Sequence, residues 1–248
     1  MSAPDWLTAR PIAHRGLHDR AAGLIENSKS AALAAIAGGY AIECDVQVSL
    51  DGEAMVFHDD ALDRLTDATG AVAASPARAL AALTLKGGAD RVMRLGDFLA
   101  LIDAHAPLIC EIKSRFDDDR RLAERVLALA QAYPGPLALK SFDPAVIAHL
   151  RASGAALPLG VVAVACYDAA EWAPMPAAMR GALAGFAHYP QTRPDFLSYR
   201  VSDLAARVPI LCKHGLGMPV MTWTVRTPEA GDAARMRADQ IIFEGFRP

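Results

Sequence analysis

Residues 107–165 read PLICEIKSRFDDDRRLAERVLALAQAYPGPLALKSFDPAVIAHLRASGAALPLGVVAVA. Three short apolar runs, 107–113, 136–141 and 159–165, are separated by 118–133 and 144–153, whose apolar residues recur at helical spacing. Strand, helix, strand, helix, strand in this order is the pattern of βα units feeding a parallel sheet. The rhythm extends both ways. Further strands are expected at 11–14, 41–46, 196–201, 220–225 and 240–243, and further helices at 28–38, 95–105, 169–183, 202–214 and 228–237. Eight strands suit a closed α/β barrel of the TIM (β/α)8 type, and 248 residues suit one such domain over 1–248. The chain stops just after the eighth strand, so the last helix is expected to be missing or replaced by the N-terminal segment.

One stretch breaks the alternation. After the second strand, Ser49-Leu50-Asp51-Gly52-Glu53 places Asp-Gly between alternating runs, which reads as a hairpin turn. It opens a small insertion of about residues 47–94, between the second strand and its helix.

Composition narrows the partners. Net charge is −3 and no Lys/Arg run occurs, so neither nucleic acid nor an anionic membrane surface is an expected partner. No run of about 18 apolar residues exists and residues 1–10 lack an apolar signal core, so a cytoplasmic protein without stable membrane insertion is expected. The four cysteines have no CxxC spacing, and three of them fall inside or beside apolar strand-like runs, as buried free thiols do.

Barrel active sites are built where strands end, and these strands end in reactive residues. They deliver His14-Arg15-Gly16, Glu43-Cys44-Asp45, Glu111-Ile112-Lys113, Lys140-Ser141, Trp223 and Glu244, while the hairpin returns as His58-Asp59. Side chains alternate along a strand, so Glu43 and Asp45 share one face and Cys44 takes the other. Glu43, Asp45 and Glu111 can therefore converge. Unpaired carboxylates in a barrel mouth are costly, and a divalent cation relieves them; an all-carboxylate set favours Mg²⁺ or Ca²⁺. The plainer reading of the same acids is a set of salt bridges to Arg15, Lys113 and Lys140. His14 and His58 each end a strand beside a charged residue and are candidates for proton transfer, whereas His18, His105, His149, His188 and His214 are read as structural. Arg15 and Lys113 put positive charge where phosphoryl oxygens would sit.

His14-Arg15-Gly16, Glu26-Asn27, Glu43-Cys44-Asp45-Val46, His58-Asp59, Leu62-Asp63-Arg64, Glu111-Ile112-Lys113, Ser141-Phe142 and Trp223-Thr224-Val225 together resemble the ordered signature of glycerophosphodiester phosphodiesterases, over about residues 11–245. The resemblance implies metal-dependent hydrolysis of small glycerophosphodiesters to sn-glycerol 3-phosphate and an alcohol. It implies Glu43, Asp45 and Glu111 on one Mg²⁺ or Ca²⁺, and His14 and His58 as general acid and base with a cyclic phosphate intermediate. Arg15, Lys113, Glu26 and Trp223 would bind or orient substrate. Three features depart from that signature: Arg226 after Trp-Thr-Val, Glu244 at the end of the last strand, and Met93-Arg94-Leu95-Gly96 before the second helix. Two alternatives are a phosphodiesterase acting on lysophospholipids, which would need apolar surface at the pocket rim, and a catalytically silent barrel that binds anions.

Overall fold

The computed structural model describes residues 3–248, apart from the side chain of Glu171. In chain order the strands are β1 (Ile12–Ala13), β2 (Ala41–Val48), β3 (Ala54–Val56), β4 (Met93–Arg94), β5 (Leu108–Ile112), β6 (Leu137–Ser141), β7 (Leu159–Ala163), β8 (Phe196–Arg200), β9 (Val220–Val225) and β10 (Gln240–Phe243). Eight of them, all except β3 and β4, pair in parallel, and β1 closes the ring by pairing with both β10 and β2. The expected eight-stranded barrel is therefore the fold. β3 runs antiparallel to β2, with Val46 opposite Val56 and Val48 opposite Ala54, and β4 adds antiparallel to β3.

Alternation along the strands divides the protein into two layers. Outward residues such as Ile42, Cys44, Leu108, Cys110, Leu139, Val161 and Leu197 are buried against helical Ala32, Phe98, Val126, Ile147 and Leu150. Inward residues at the strand starts, Ile12, Ala41, Ile109, Ala138, Phe196, Met221 and Ile242, form a separate apolar cluster. Two residues further along the same inward faces stand His14, Glu43, Glu111, Lys140, Ser198, Trp223 and Glu244. The barrel interior is thus apolar at its N-terminal end and charged at its C-terminal mouth.

The N-terminal segment covers the barrel floor. A 3-10 turn, Asp5–Leu7, buries Leu7 in the inward apolar cluster, with Trp6 partly buried beside it, and Gln240 Nε2 donates to the Thr8 carbonyl at 2.7 Å. Between β2 and the helix Leu95–Ile102, Met55, Phe57, Leu62, Leu65, Val72, Leu80, Leu85 and Val92 form a small apolar cluster of their own with Ile25.

Five of the expected helices form with shifted ends, at Lys29–Ala37, Leu95–Ile102, Arg121–Ala132, Pro144–Ala152 and Pro228–Arg235. Ser28, Asp143 and Thr227 cap three of them by accepting from backbone N–H groups of the first turn. The other two are broken. Region 169–183 becomes a 3-10 turn, Ala170–Trp172, and a helix Ala177–Ala184, because Pro174 and Pro176 between them donate no backbone hydrogen bond. Region 202–214 becomes Val201–Asp203, Arg207–Ile210 and a wide π turn, Leu211–Gly215, around Pro209.

Gly160 on β7 faces Phe196, whose ring fills the barrel floor; a Cβ at Gly160 would lie 2.3 Å from that ring. Gly160→Ala is expected to destabilise the protein by about 1–3 kcal/mol through overpacking, measured as a lower urea midpoint at unchanged slope. An unaltered midpoint would mean that Phe196 has room to move.

Candidate active site

Glu43 and Asp45, two residues apart on β2, meet Glu111 from β5, and one oxygen from each lies within 4.8 Å of the others. Asp45 pairs in register with Glu111, so the convergence is set by the sheet itself. All three are buried, at 5% exposure or less.

Such a cluster must be compensated, and every carboxylate oxygen has a partner. Lys140 Nζ lies 2.9 Å from Glu43 Oε1 and 3.2 Å from Glu111 Oε2. Lys113 Nζ lies 2.9 Å from Asp45 Oδ1 and 2.5 Å from Glu111 Oε1. The Arg15 backbone N–H donates to Glu43 Oε2 at 3.0 Å, and Asn27 Nδ2 to Asp45 Oδ2 at 3.0 Å. Asn27 is clamped in return, its Oδ1 accepting from the Asp45 N–H at 3.1 Å. Burial alone would raise the Asp45 pKa, but Lys113, then His58, Arg15 and His14, hold it well below the ordinary range. Glu111 is likewise lowered against its burial, by Lys113 and Lys140. Both ammoniums stay charged because the carboxylates outweigh the burial that would depress them.

The loop after β1 wraps this cluster. Arg15 sits at φ 55° and Gly16 at φ 80°, where a Cβ on Gly16 would lie 2.8 Å from the Ala31 backbone, so the turn requires glycine there. That turn sends the Arg15 guanidinium between Asp45 Oδ2, 3.3 Å from Nε, and Glu26 Oε1, 2.6 Å from Nη1. Arg64, from the segment between β3 and β4, grips Glu26 and Asp59 at 2.5–2.9 Å. Burial would raise the Glu26 pKa, yet Arg64 and Arg15 bring it down to about 2.

The two histidines are held by separate carboxylates. His14, following β1, holds Glu244 Oε2 at 2.6 Å through Nδ1, which turns Nε2 towards Glu43 Oε2, 4.0 Å away. His58, after β3, holds Asp59 Oδ1 at 2.7 Å through Nδ1. It lines a cleft of about 490 Å³ with Glu111, Lys113, Phe116, Phe142, Trp172 and Trp223. Carboxylate–imidazole pairs of this kind select the tautomer and fix the ring. All nine residues singled out in the sequence therefore lie at one barrel mouth or in the ion-pair chain around it.

A family model described as the glycerophosphoryl diester phosphodiesterase family matches residues 14–244. The chain belongs to this family. Solved structures agree in fold. A phosphodiesterase from Oleispira antarctica, in complex with the product sn-glycerol-3-phosphate, superposes with a TM-score of 0.77 at 18% identity, over 95% of this chain and 92% of that one. A protein from Silicibacter pomeroyi, assigned provisionally as a glycerophosphoryl diester phosphodiesterase, gives 0.75 at 25% identity, over 94% and 89%. The glycerophosphodiester phosphodiesterase of Thermotoga maritima gives 0.70 at 22%, over 94% and 92%. No functionally curated protein matches the chain. The protein is accordingly a phosphoric diester hydrolase acting on glycerophosphodiesters.

Members of this phosphodiesterase family depend on metal in general, and the donor set here fits a hard divalent cation, being three buried carboxylates of matching reach. Four further residues act at the site. Asn27 stood in a quoted motif without a role, yet it fastens Asp45. Glu244, a strand-end residue and a departure from the family signature, orients His14 and is itself held by Arg226 Nε at 2.8 Å. His18, read as structural, places Nε2 3.5 Å from Glu244. Lys140, a strand-end residue expected as a salt-bridge partner, bridges Glu43 and Glu111.

The depressed Glu26 pKa makes stability depend on acid. A carboxylate lowered from 4.5 to about 2 contributes its full stabilisation above pH 4.5 and loses it as pH falls towards 2. Urea midpoints measured between pH 6 and about pH 2.5 are expected to fall more steeply for the native protein than for Glu26→Gln. Parallel curves would mean that the Arg15–Glu26–Arg64 chain is not linked to folding.

Proposed function

We propose that this phosphodiesterase cleaves its substrate to sn-glycerol 3-phosphate and an alcohol, using one divalent cation, Mg²⁺ or Ca²⁺, on Glu43, Asp45 and Glu111. The observation that carries the reading is the convergence of these three acids between two separately anchored histidines. The product held by the Oleispira protein supports the choice of substrate class.

In this reading the phosphodiester lies over the acid cluster, its non-bridging oxygens towards Lys113 and the Arg15 fork, which matches such oxygens bidentately. Lys113 borders the cleft and is able to turn from Glu111 to a phosphoryl oxygen. The bound cation supplies Lewis-acid polarisation of the phosphoryl group. One of His14 and His58 takes the proton from the substrate's own glycerol hydroxyl as that oxygen attacks phosphorus. The other gives a proton to the departing alcohol oxygen. A cyclic glycerol phosphate remains, and water opens it with the proton transfers reversed. Glu244 and Asp59 keep each imidazole in the tautomer that presents Nε2. Glu26 orients Arg15, and Trp223, its indole N–H donated to the Ser198 carbonyl at 3.2 Å, forms the wall on the glycerol side.

A second reading is favoured by the cleft's far wall. Phe142 packs on Trp223 at 5.6 Å and on Trp172 at 5.4 Å, and Trp172 continues to Phe116 and Tyr167. An adjoining cleft of about 560 Å³ shares Phe116 and Trp172 and extends along Pro174, Met175, Pro176 and Met179, with Asp60, Ser114 and Arg115 on its polar side. This apolar trough starts at Trp223 and suits an acyl chain on the glycerol, as in a lysophospholipid. The sequence offered no such aromatic group in the insertion; the trough comes instead from the loops after β5, β6 and β7.

The reading is tested by glycerol 3-phosphate release from glycerophosphocholine after chelation, then with Mg²⁺, Ca²⁺ or Mn²⁺ restored. Release is expected only with metal, and none with any metal would sink the metal-dependent mechanism. His14→Ala and His58→Ala are each expected to lower kcat by at least about a hundredfold with circular dichroism unchanged; wild-type turnover in either would remove it from proton transfer. Trp172→Ala is expected to cost lysophosphatidylcholine at least about tenfold in kcat/KM and glycerophosphocholine far less. An equal loss on both substrates would reject the acyl trough.

A further inference from the structure

Lys140 sits between two of the three acids that would hold the ion, and it is only 2% exposed. Its Nζ, on β6, bridges Glu111 Oε2 on the adjacent β5 and Glu43 Oε1 one strand further on, on β2. Lys113 differs. It contacts Asp45 and Glu111, but its side chain is 18% exposed and borders the cleft, so an incoming phosphoryl group offers it another partner. Lys140 has only the acid cluster within salt-bridge reach among the described residues, and withdrawing a buried ammonium from both carboxylates would cost several kcal/mol on the order of a broken buried ion pair.

An ion entering the cluster therefore shares Glu43 and Glu111 with a cation already there. We propose that Lys140 is a resident positive charge of the acid cluster, which holds Glu43 and Glu111 in place before any ion arrives and lowers the cluster's affinity for the ion. This rests on the metal reading given above. Charge arithmetic gives the arrangement its purpose. Three carboxylates carry −3, and Lys140 with one divalent ion restores neutrality, leaving Lys113, which borders the cleft, to meet the single negative charge of a phosphodiester. Without Lys140 the loaded cluster would keep a net −1 facing that anion, and the empty cluster would be held chiefly by Lys113 and Arg15.

The test is Lys140→Met, with Lys140→Gln as the milder variant, each stripped by chelator and compared with the native protein. Two quantities are read: the Kd for Mg²⁺ and Ca²⁺ by calorimetry, and the Tm with chelator and with ion. Removing a unit charge this close to the ion is expected to tighten Kd at least about tenfold, lower Tm in chelator and enlarge the rise in Tm on adding ion. Unchanged Kd together with unchanged Tm in chelator would overturn the proposal while leaving the metal reading standing. Binding by the variants but not by the native protein would support the role of Lys140 and remove metal dependence from the native enzyme. Binding by none of them would overturn both. If Lys140→Met does not fold in chelator, adding Glu43→Gln removes one charge of each sign. Recovery of the fold in that double variant supports the charge role, and no recovery overturns it.

Discussion

Three carboxylates buried at the mouth of a barrel are the constraint around which the molecule is arranged. Left unpaired, each would cost several kcal/mol, on the order expected for an isolated buried charge. The chain compensates them with two lysines from β5 and β6, a backbone N–H from Arg15 and the amide of Asn27. Those four groups come from three different βα units, so the cluster is whole only when β1, β2, β5 and β6 lie side by side. Closure between β1 and β10 also brings Glu244 to His14, tying the last strand end to the first.

The interior gradient explains how one fold holds both a stable floor and a reactive mouth. Phe196, Ile109, Met221 and Leu7 fill the lower barrel with apolar volume. The next inward positions are polar or charged. Moving two residues along a strand advances about 7 Å without changing face, so floor and site share strands yet stay in separate layers. Cys44, between Glu43 and Asp45, lies in the outer layer with Cys110, away from the chemistry.

The ion-pair chain running from Asp45 through Arg15, Glu26 and Arg64 to Asp59 and His58 links the barrel to the segment that carries β3 and β4. His58 is not on a barrel strand. Its position depends on the β2–β3 hairpin and on Arg64 holding Asp59, whereas His14 is held by the barrel alone. The two histidines are thus anchored by different structural units at the same barrel mouth.

The strands were legible because period-two patterning and apolar runs are local properties, and the eight runs pair in the order written in the chain. The same local rule put Glu43 and Asp45 on one face and Cys44 on the other. At 169–183 and 202–214, Ala and Leu content suggests continuous helices, and Pro174, Pro176 and Pro209 interrupt them. What the sequence by itself determined was therefore the strand order, the faces of the strands and the residue types at their ends. What only the tertiary structure decided was which ends meet: Glu244 with His14 across 230 positions, Lys140 between Glu43 and Glu111, and the Phe116–Phe142–Trp172–Trp223 wall. The reason is physical. Alternation acts within a strand, but a contact between strands is set by barrel register and closure, which no single segment encodes.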